Sequence, residues 1–274
     1  MKMKLCKCES IIKSLEDTKR VTYEGLSDDK LLVGVDLGTA YIVLVVLDKN
    51  KNPLAYEMEF AQEVKDGLLV DYIGALNILR GLKKKVENKL GIELTKAAIA
   101  IPPGTSEGDY KSHIHVVEGV GMEVTNILDE PTAANSVLQI KNGVVVDVGG
   151  GTTGLSIFKN GKVIYTADEP TGGTQLSLVI AGGCHVSFEE AEKMKKDPQK
   201  YLEIFPMVTP VIQKVASIVK KHIETYDVNE VYLVGGTCCL KGFETVVEKE
   251  IGIKTYKPSN PFVITPLGIA MNCL

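Results

Sequence analysis

The sequence has 274 residues, a formal net charge of −4 and a hydrophobic fraction of 45%. A negative net charge leaves no basic surplus to neutralise phosphates, which argues against a nucleic-acid-binding protein. No apolar run approaches the roughly 20 residues of a membrane span, and the N-terminus lacks the long apolar segment of a signal peptide, so we expect a cytoplasmic protein.

The first 30 residues predict a leader that stands apart from the rest of the chain. Leu5, Cys8, Ile11, Ile12 and Leu15 recur at helical spacing among lysines and glutamates, and a polar stretch that ends at residues 27–30 follows them. This spacing is typical of a short amphipathic helix. Its apolar face either docks on the domain that follows or binds a partner protein, and we favour docking.

The first lobe begins with a strand that ends in an acidic glycine turn. Residues 33–46 read VGVDLGTAYIVLVV, so a strand, an aspartate, a glycine turn and a second strand follow one another. Residues 54–60 alternate as a third strand. Apolar residues at helical spacing predict a helix over 72–90, which Gly91 ends, and a buried strand follows at 97–101.

Basic side chains in this half of the chain are expected to have no part in a site. The run Lys83, Lys84 and Lys85 lies in the predicted helix and is interpreted as a solvated face. His113 and His115 fit no metal-ligand pattern, so we interpret them as surface or packing residues.

The turn of the first lobe recurs later in a stronger form. A strand at 124–128 leads into a helix that starts at 129–134, and residues 144–153 then read VVVDVGGGTT. Consecutive glycines expose backbone N–H groups and let a bulky anion come close, whereas an aspartate at the strand end suits Mg²⁺ held through water. Asp147 follows Asp36 by 111 positions. Two copies of one device predict a duplicated protein with one phosphate loop in each lobe.

The second lobe is predicted to repeat the plan of the first. Its strands continue to about Thr166, and Ser187 and Glu190 begin one of its helices as a capping box. Pro206 and Pro210 are expected to kink or break a long helix over 198–226. The remaining predicted elements are a helix over 172–182, the helix over 187–196, a strand over 231–234 before a glycine pair, and a final helix that begins near Pro266.

Strands that alternate with helices predict an α/β fold of two lobes with the ligand in the cleft between them. The predicted division is a leader at 1–30, a first lobe at 31–142 and a second lobe at 143–274. We expect the C-terminal helix to pack back on the first lobe.

Five segments in order resemble motifs of the superfamily of ATPases that contains actin, sugar kinases and DnaK-type chaperones. Residues 33–39 and 144–153 resemble its two phosphate motifs, 231–236 its adenosine motif, and 130–134 and 266–270 its two connecting helices. The resemblance implies a duplicated actin-like ATPase fold of ribonuclease H-like lobes. The short segments outside the motifs imply reduced outer subdomains.

A narrower resemblance is to the bacterial ethanolamine utilization (EutJ) family. It depends on DG at 66–67, where we expect a turn, DEPTA at 129–133, DVGGGTTG at 147–154 and TPL at 265–267. The family is chaperone-like, which implies ATP and Mg²⁺ as cofactors. It also implies association with a bacterial microcompartment, with ethanolamine ammonia-lyase or shell proteins as partners.

The resemblance to the superfamily also implies roles for individual residues. Asp36 and Asp147 are expected to organise Mg²⁺ and water as catalytic and metal-binding residues, and Glu130 to orient the attacking water. The residues expected to contact the nucleotide are Gly38, Thr39, Gly149, Gly150, Gly151, Thr152, Thr153, Glu192, Lys195, Gly235 and Gly236.

Departures from the family patterns keep several functions open. Chaperones carry an acidic residue where Gly154 stands, and residues 237–242 lack their adenine-stacking arginine. We expect no C-terminal substrate-binding domain, and therefore no peptide clamping of the DnaK kind. The leading hypothesis is a slowly hydrolysing, chaperone-like accessory protein, and the alternative is a non-catalytic scaffold. A small-molecule kinase or a filament fits less well, because the outer segments are short.

Overall fold

The computed structural model describes residues 5–18, 31–65 and 67–274, and its elements follow the predicted plan. The predicted polar stretch at 27–30 and the predicted turn at Asp66 lie outside these residues. In chain order the elements are α1 (Cys6–Asp17), β1 (Leu31–Leu37), β2 (Tyr41–Asp48), β3 (Pro53–Phe60), β4 (Val64–Lys65), β5 (Leu68–Leu69), α2 (Tyr72–Leu90), β6 (Lys96–Ile101), α3 (Glu107–Glu118), β7 (Glu123–Asp129), α4 (Glu130–Leu138), β8 (Gly143–Val148), β9 (Thr153–Lys159), β10 (Lys162–Glu169), α5 (Gly173–Cys184), α6 (Phe188–Lys196), α7 (Tyr201–Ile223), β11 (Glu230–Val234), α8 (Phe243–Ile251), β12 (Lys254–Tyr256) and α9 (Ile264–Ala270).

Two five-stranded sheets have the same strand order and the same strand directions. The first runs β3-β2-β1-β6-β7 and the second runs β10-β9-β8-β11-β12. In each sheet the first three strands along the chain are antiparallel neighbours, and the last two lie parallel to the first. The internal repeat predicted from the glycine turns therefore extends to the whole sheet.

Each sheet has its own apolar core, and a third apolar cluster lies between them. The β-branched and leucine side chains of β1, β2 and α2 form the first core, and those of β8, β11 and α7 form the second. The third cluster joins residues of α1, α4 and α9 with the facing sides of β2 and β8. The two connecting helices and the leader helix thus fill the space between the sheets.

The two connecting helices cross at a contact that only glycine permits. A Cβ atom added at Gly268 of α9 would lie 1.8 Å from the carbonyl oxygen of Ala133 in α4. Two residues further along α9, a Cβ at Gly34 of β1 would lie 2.4 Å from the backbone nitrogen of Ala270. Helix α9 is therefore held against both α4 and the first sheet by direct backbone contact.

The leader helix α1 docks on the body of the protein. Leu5, Cys8, Ile12 and Leu15 are buried in the cluster between the sheets. This is the docked arrangement favoured from the spacing of its apolar residues.

Helix α7 is continuous through both prolines, contrary to the predicted kink or break. Pro206 and Pro210 are one turn apart on the exposed side, and the opposite side is packed into the second core, which keeps the helix in place. By length and apolar composition Pro198–Ile223 would also pass for a membrane span, so the expectation that no described segment approaches one is wrong. A buried core helix passes the same test, and the buried side chains of α7 are Ile204, Val208, Ile212, Val215, Ala216, Val219 and Ile223.

Other predicted boundaries agree with the structure or shift by a few residues. Helix α2 spans the predicted residues, and Gly91 ends it in the left-handed conformation. Helix α9 begins at Ile264, two residues before the predicted start at Pro266, because a short 3-10 turn leads into it. Lys83 was expected on a solvated face, but its side chain is buried and pairs with Glu87 at 2.8 Å.

The backbone contact at Gly268 generates a stability prediction. We expect Gly268→Ala to lower the free energy of unfolding by about 3 kcal/mol, the upper end of the usual cost of overpacking, because the new methyl group cannot enter without moving α4 away from α9. Gly81→Ala is the matched control, since no atom lies within 4 Å of its added Cβ. That change should stabilise helix α2 by roughly 0.5–1 kcal/mol. Urea unfolding curves of equal midpoint for the two variants would contradict the close contact.

Candidate functional site

The two glycine turns have the same internal geometry and meet face to face. In the first, the Gly38 N–H donates to the Tyr41 carbonyl at 3.0 Å, and in the second the Gly149 N–H donates to the Thr152 carbonyl at 2.9 Å. A Cβ added at Gly150 would lie 3.1 Å from the Cβ of Ala40. The turns are therefore in contact, one from each sheet.

The second turn presents unpaired N–H groups. Its Gly149 carbonyl accepts from the Gly173 N–H at 2.9 Å, and its Gly150 carbonyl accepts from the Thr174 N–H at 2.8 Å. A trans peptide points its N–H opposite its C=O, so the N–H groups of Gly150 and Gly151 point away from helix α5. Neither donates to a described residue. Such a pair of adjacent backbone donors is a cradle for an anion.

The turns open into a cavity of about 860 Å³ between the sheets. That volume lies in the range of small-molecule and cofactor pockets. Of the residues predicted for the site, the structure brings all but one to its wall, namely Asp36, Gly38, Thr39, Glu130, Asp147, Gly149, Gly150, Gly151, Thr152, Glu192, Lys195, Gly235 and Gly236. Thr153 is the exception, because its side chain is fully buried and donates to the Thr171 carbonyl at 2.6 Å. The individual roles of these residues stay predictions.

Three carboxyl groups face one another at the floor of the cavity. The Thr265 hydroxyl donates to Asp147, whereas Asp36 and Glu130 make no hydrogen bond or ion pair with a described residue. Burial, and then the Asp147 carboxylate, raise the pKa of Asp36 to about 7. Burial raises the pKa of Asp147 to about 6, although the Thr265 hydroxyl opposes the rise. Burial, followed by the charges of Asp147 and Asp36, raises the pKa of Glu130 well above its usual range.

This acidic floor fits a cation that keeps most of its water. Within residues 5–18, 31–65 and 67–274, no three His, Cys, Asp or Glu side chains converge closely enough to hold a metal directly. Mg²⁺ commonly binds one or two carboxylates and completes its shell with water and phosphate oxygens. Asp147 is buried and Asp36 is partly buried, and their carboxylates repel each other, so they suit that role better than that of a closed metal cage.

Glu130 lies at a helix start, but another residue performs the capping. The Asp129 side chain accepts from the Thr132 N–H at 2.9 Å and from the Ser156 hydroxyl at 3.0 Å. Pro131 occupies the first turn of α4. Because Asp129 caps the helix, the Glu130 carboxyl is left to line the cavity.

Lys195 brings a positive charge to the wall of the cavity, and several groups hold it in place. The Lys195 ammonium donates to the Ser177 hydroxyl at 2.7 Å and to the Gly173 carbonyl at 3.1 Å, and it pairs with Glu192.

Gly235 has a φ of +90°, and a Cβ there would lie 2.3 Å from an Asp147 carboxylate oxygen. The backbone of Gly235 therefore forms the wall itself, which leaves room for a flat ligand group beside it.

The departure at Gly154 has a packing reason. A Cβ at this position would lie 3.1 Å from Pro103 and 3.4 Å from Pro131. The two prolines fill the space that an acidic side chain would need. This position therefore has apolar packing where the resemblance to chaperones would imply an acidic side chain.

Several residues of the cavity were not foreseen from the sequence, and three of them have polar side chains of note. Thr265 holds Asp147, Lys196 lines the cavity beside Lys195, and His113 is buried in its wall. His113 was expected at the surface or in packing, and the structure excludes the surface. Only Thr265 had a signal, its place immediately before Pro266 in a recognised motif.

The crowding of carboxylates generates a prediction about stability. A carboxyl pKa that is raised in the folded state opposes folding, and the penalty grows as pH rises from 3.8 to about 7 and is full above it. We therefore expect Asp36→Asn to stabilise the ligand-free protein by roughly 1–3 kcal/mol at pH 8, and by less at pH 5. Thermal unfolding at both pH values measures this.

Asp48→Asn is the control, because this aspartate is hydrogen-bonded near the surface and does not lie in the cavity. Asp48 ends strand β2 near the surface and accepts hydrogen bonds from the backbones of Asn50 and Asn52. These hydrogen bonds favour the charged carboxylate in the folded protein, so removal of the charge should not stabilise the protein. An equal gain in both variants would show that the Asp36 effect does not come from the cavity.

Comparison with known proteins agrees with this architecture. A family model described as type IV pilus assembly protein PilM matches residues 125–268, and one described as MreB/Mbl protein matches residues 55–189. The structure of MreB5 of Spiroplasma citri bound to ADP superposes with a TM-score of 0.71 at 15% identity, covering 88% of this chain and 95% of that one. An AMPPNP-bound structure of the same protein gives the same values.

Two proteins of the ethanolamine utilization system are much more similar. The ethanolamine utilization protein EutJ of Salmonella typhimurium is 42% identical over 245 residues, which covers 89% of this chain and 86% of that protein. The crystal structure of EutJ from Carboxydothermus hydrogenoformans has a TM-score of 0.91 at 48% identity, covering 97% of this chain and 98% of that one. The chain therefore belongs to the EutJ family of ethanolamine utilization proteins, and it has the actin-like ATPase fold.

Proposed function

We propose that this protein binds Mg-ATP between its two sheets and hydrolyses it slowly as a chaperone-like accessory protein of ethanolamine utilization. One observation carries the proposal: two glycine turns meet, one with unpaired N–H groups, beside three carboxyl groups that line the cavity, of which Asp147 is buried and Asp36 and Glu130 are partly buried. Unpaired donors attract phosphate, and crowded carboxylates attract a cation. A metal-bound polyphosphate supplies both charges at one place.

Each part of the cavity has a role in this proposal. The N–H groups of Gly150 and Gly151 bind phosphate oxygens, and Glu192 and Lys195 bind the ribose. Asp36 and Asp147 hold Mg²⁺ through water, and the metal would neutralise charge on the phosphates. Glu130 orients the attacking water. Phosphoryl transfer to water depends on positioning and electrostatics more than on a strong base, so this set is sufficient.

The relatives support the ligand and the setting. MreB5 of Spiroplasma citri, which shares the fold, has structures bound to ADP and AMPPNP. The EutJ relatives are proteins of ethanolamine utilization. We infer partners in that system, such as ethanolamine ammonia-lyase or microcompartment shell proteins, and a cytoplasmic location at the microcompartment. We also infer the division into a leader at 1–30 and lobes at 31–142 and 143–274.

A nucleotide-gated scaffold without catalysis is the second candidate, and two observations favour it. The pKa of Glu130 lies well above its usual range, and a protonated carboxyl is a poor acceptor for the proton of an attacking water. Pro103 and Pro131 also fill the space beside Gly154, so the metal and water are less constrained than in chaperones. Either effect would slow hydrolysis without preventing binding.

The first test of the proposal is the Mg²⁺ dependence of ATP binding. Wild-type protein should bind ATP much more tightly with Mg²⁺ than without it, because the carboxylates repel free phosphates. Asp147→Asn keeps the shape and the contact with Thr265, but we expect it to weaken Mg-ATP binding by at least about tenfold. It should bind metal-free ATP as well as wild type or better.

Calorimetric titrations with ATP, with and without Mg²⁺, measure both affinities. Asp227→Asn, at an exposed position far along the chain, is the control and should behave as wild type. An Asp147→Asn variant that retains the full Mg²⁺ dependence would remove Asp147 from the metal site.

The second test concerns Glu130. We expect Glu130→Gln to slow single-turnover hydrolysis at least about tenfold, since positioned proton acceptors contribute roughly 10²–10⁴ in rate. ATP affinity should change little, because the glutamine keeps the size of the side chain. Glu123→Gln, at the exposed start of strand β7, is the matched control. Equal hydrolysis in the two variants would make Glu130 structural, and tight binding without hydrolysis in wild type would favour the scaffold.

A further inference from the structure

Lys196 joins the two halves of the protein across the cavity. It is the last residue of α6, and its Nζ donates to the hydroxyl of Tyr41, at the start of β2, at 3.0 Å. The same Nζ lies 5.0 Å from the ring centroids of both Tyr41 and Phe60. It also pairs with Glu192 at 3.1 Å. Lys196 and both rings line the cavity.

The two anchors of Lys196 belong to segments predicted to contact the nucleotide. On one side, the Tyr41 carbonyl accepts the hydrogen bond that closes the first glycine turn. On the other side, Glu192 shares its carboxylate between Lys195 and Lys196. Lys196 is therefore bonded on one side to a residue of the first glycine turn and on the other side to an expected ribose contact.

Aromatic packing extends this connection to the Gly235 segment. The Tyr41 ring contacts the rings of Phe60 and Phe262 edge-on, with centroids 5.7 Å and 5.4 Å apart. Phe262 follows Pro261, whose carbonyl accepts from the Gly235 N–H at 3.0 Å. The rings hold Tyr41 in place, so its hydroxyl is a fixed acceptor for Lys196.

The contacts of Lys196 suit a link that opens and closes. Its side chain is 44% exposed, whereas that of Lys195 is 14% exposed. Exposed ion pairs and exposed cation–π contacts are individually weak, so water can replace them when the halves separate. Lys195, buried beside it, is held by three described groups and is the permanent member of the pair.

We propose that Lys196 is a latch across the mouth of the cavity that sets how fast nucleotide enters and leaves. The proposal rests on the proposed nucleotide binding and adds its regulation. A latch that forms alike in the empty and the loaded protein slows association and dissociation by the same factor. It leaves the equilibrium constant unchanged, because a state shift alters affinity only when the ligand distinguishes the two states.

Lys196→Met tests the latch, because methionine keeps the stem and the helix but removes the ammonium. Stopped-flow mixing with a fluorescent ATP analogue and Mg²⁺ measures the association and dissociation rate constants. We expect both to rise roughly fivefold, with the dissociation constant within about twofold of wild type. Tyr41→Phe removes only the hydroxyl and should raise both constants by less. Lys193→Met, on the exposed face of the same helix, should leave both unchanged.

Other outcomes would overturn the latch in distinguishable ways. A faster dissociation alone, with weaker binding, would make Lys196 a direct nucleotide contact. Unchanged rate constants with a lower melting temperature of the ligand-free protein would make it a structural contact only. If wild type and Lys193→Met both fail to bind the analogue, the proposed function fails and the latch with it. Normal binding with unchanged rates overturns the latch alone.

Discussion

The direct backbone contact between helices α4 and α9 is the constraint on which the rest of the structure depends. Gly268 lies against the Ala133 carbonyl, and Gly34 lies against Ala270, so no side chain separates the helices from each other or from strand β1. Three residues before Ala133, helix α4 carries Glu130 into the cavity. Three residues before Gly268, helix α9 carries Thr265 to Asp147. The spacing of the helices therefore sets the spacing of the carboxyl groups.

That spacing opposes the stability of the ligand-free protein. Three carboxyl groups are brought together with a single hydroxyl donor among the described residues, and the raised pKa values of Asp36 and Asp147 express the cost. A protein selected for stability alone would place amides there, since a pKa shift is a difference in free energy between protonation states. The fold tolerates the repulsion because the apolar clusters of the two sheets and the interface do not depend on these groups. In the proposed function, a cation with bound phosphate would relieve it.

Local signals and repeated motifs allowed much of this fold to be predicted. Contacts between residues that are distant in sequence could not be predicted. Gly91 was predicted to end α2 because a left-handed residue has a strong local signature, and the two glycine turns were found because they repeat. The continuity of α7 through Pro206 depends on packing of its other face, which no local rule contains. The burial of Lys83 and the wall position of His113 likewise arise from neighbours far along the chain. In the site, the motif was enough to predict the turn residues. The role of Lys196 could not be predicted, because it comes from a contact with Tyr41, 155 positions away.

The leader helix gives the cavity a second restraint, on a different part of its wall from the latch. Glu9 of α1 accepts from the Ser259 N–H at 2.9 Å, and Glu16 accepts from the Asn260 side chain at 2.9 Å. Asn260 lines the cavity and precedes Pro261, which holds Gly235. Because the apolar side of α1 is buried between the sheets, this segment is tied to both halves of the protein. In the proposed function, the contact of α4 with α9, the latch at Lys196 and the leader helix against residues 259–261 all bear on one motion, the separation of the two halves at the mouth of the cavity. Nucleotide exchange would then depend on the separation of the two halves, and a partner that displaces α1 would change the same separation.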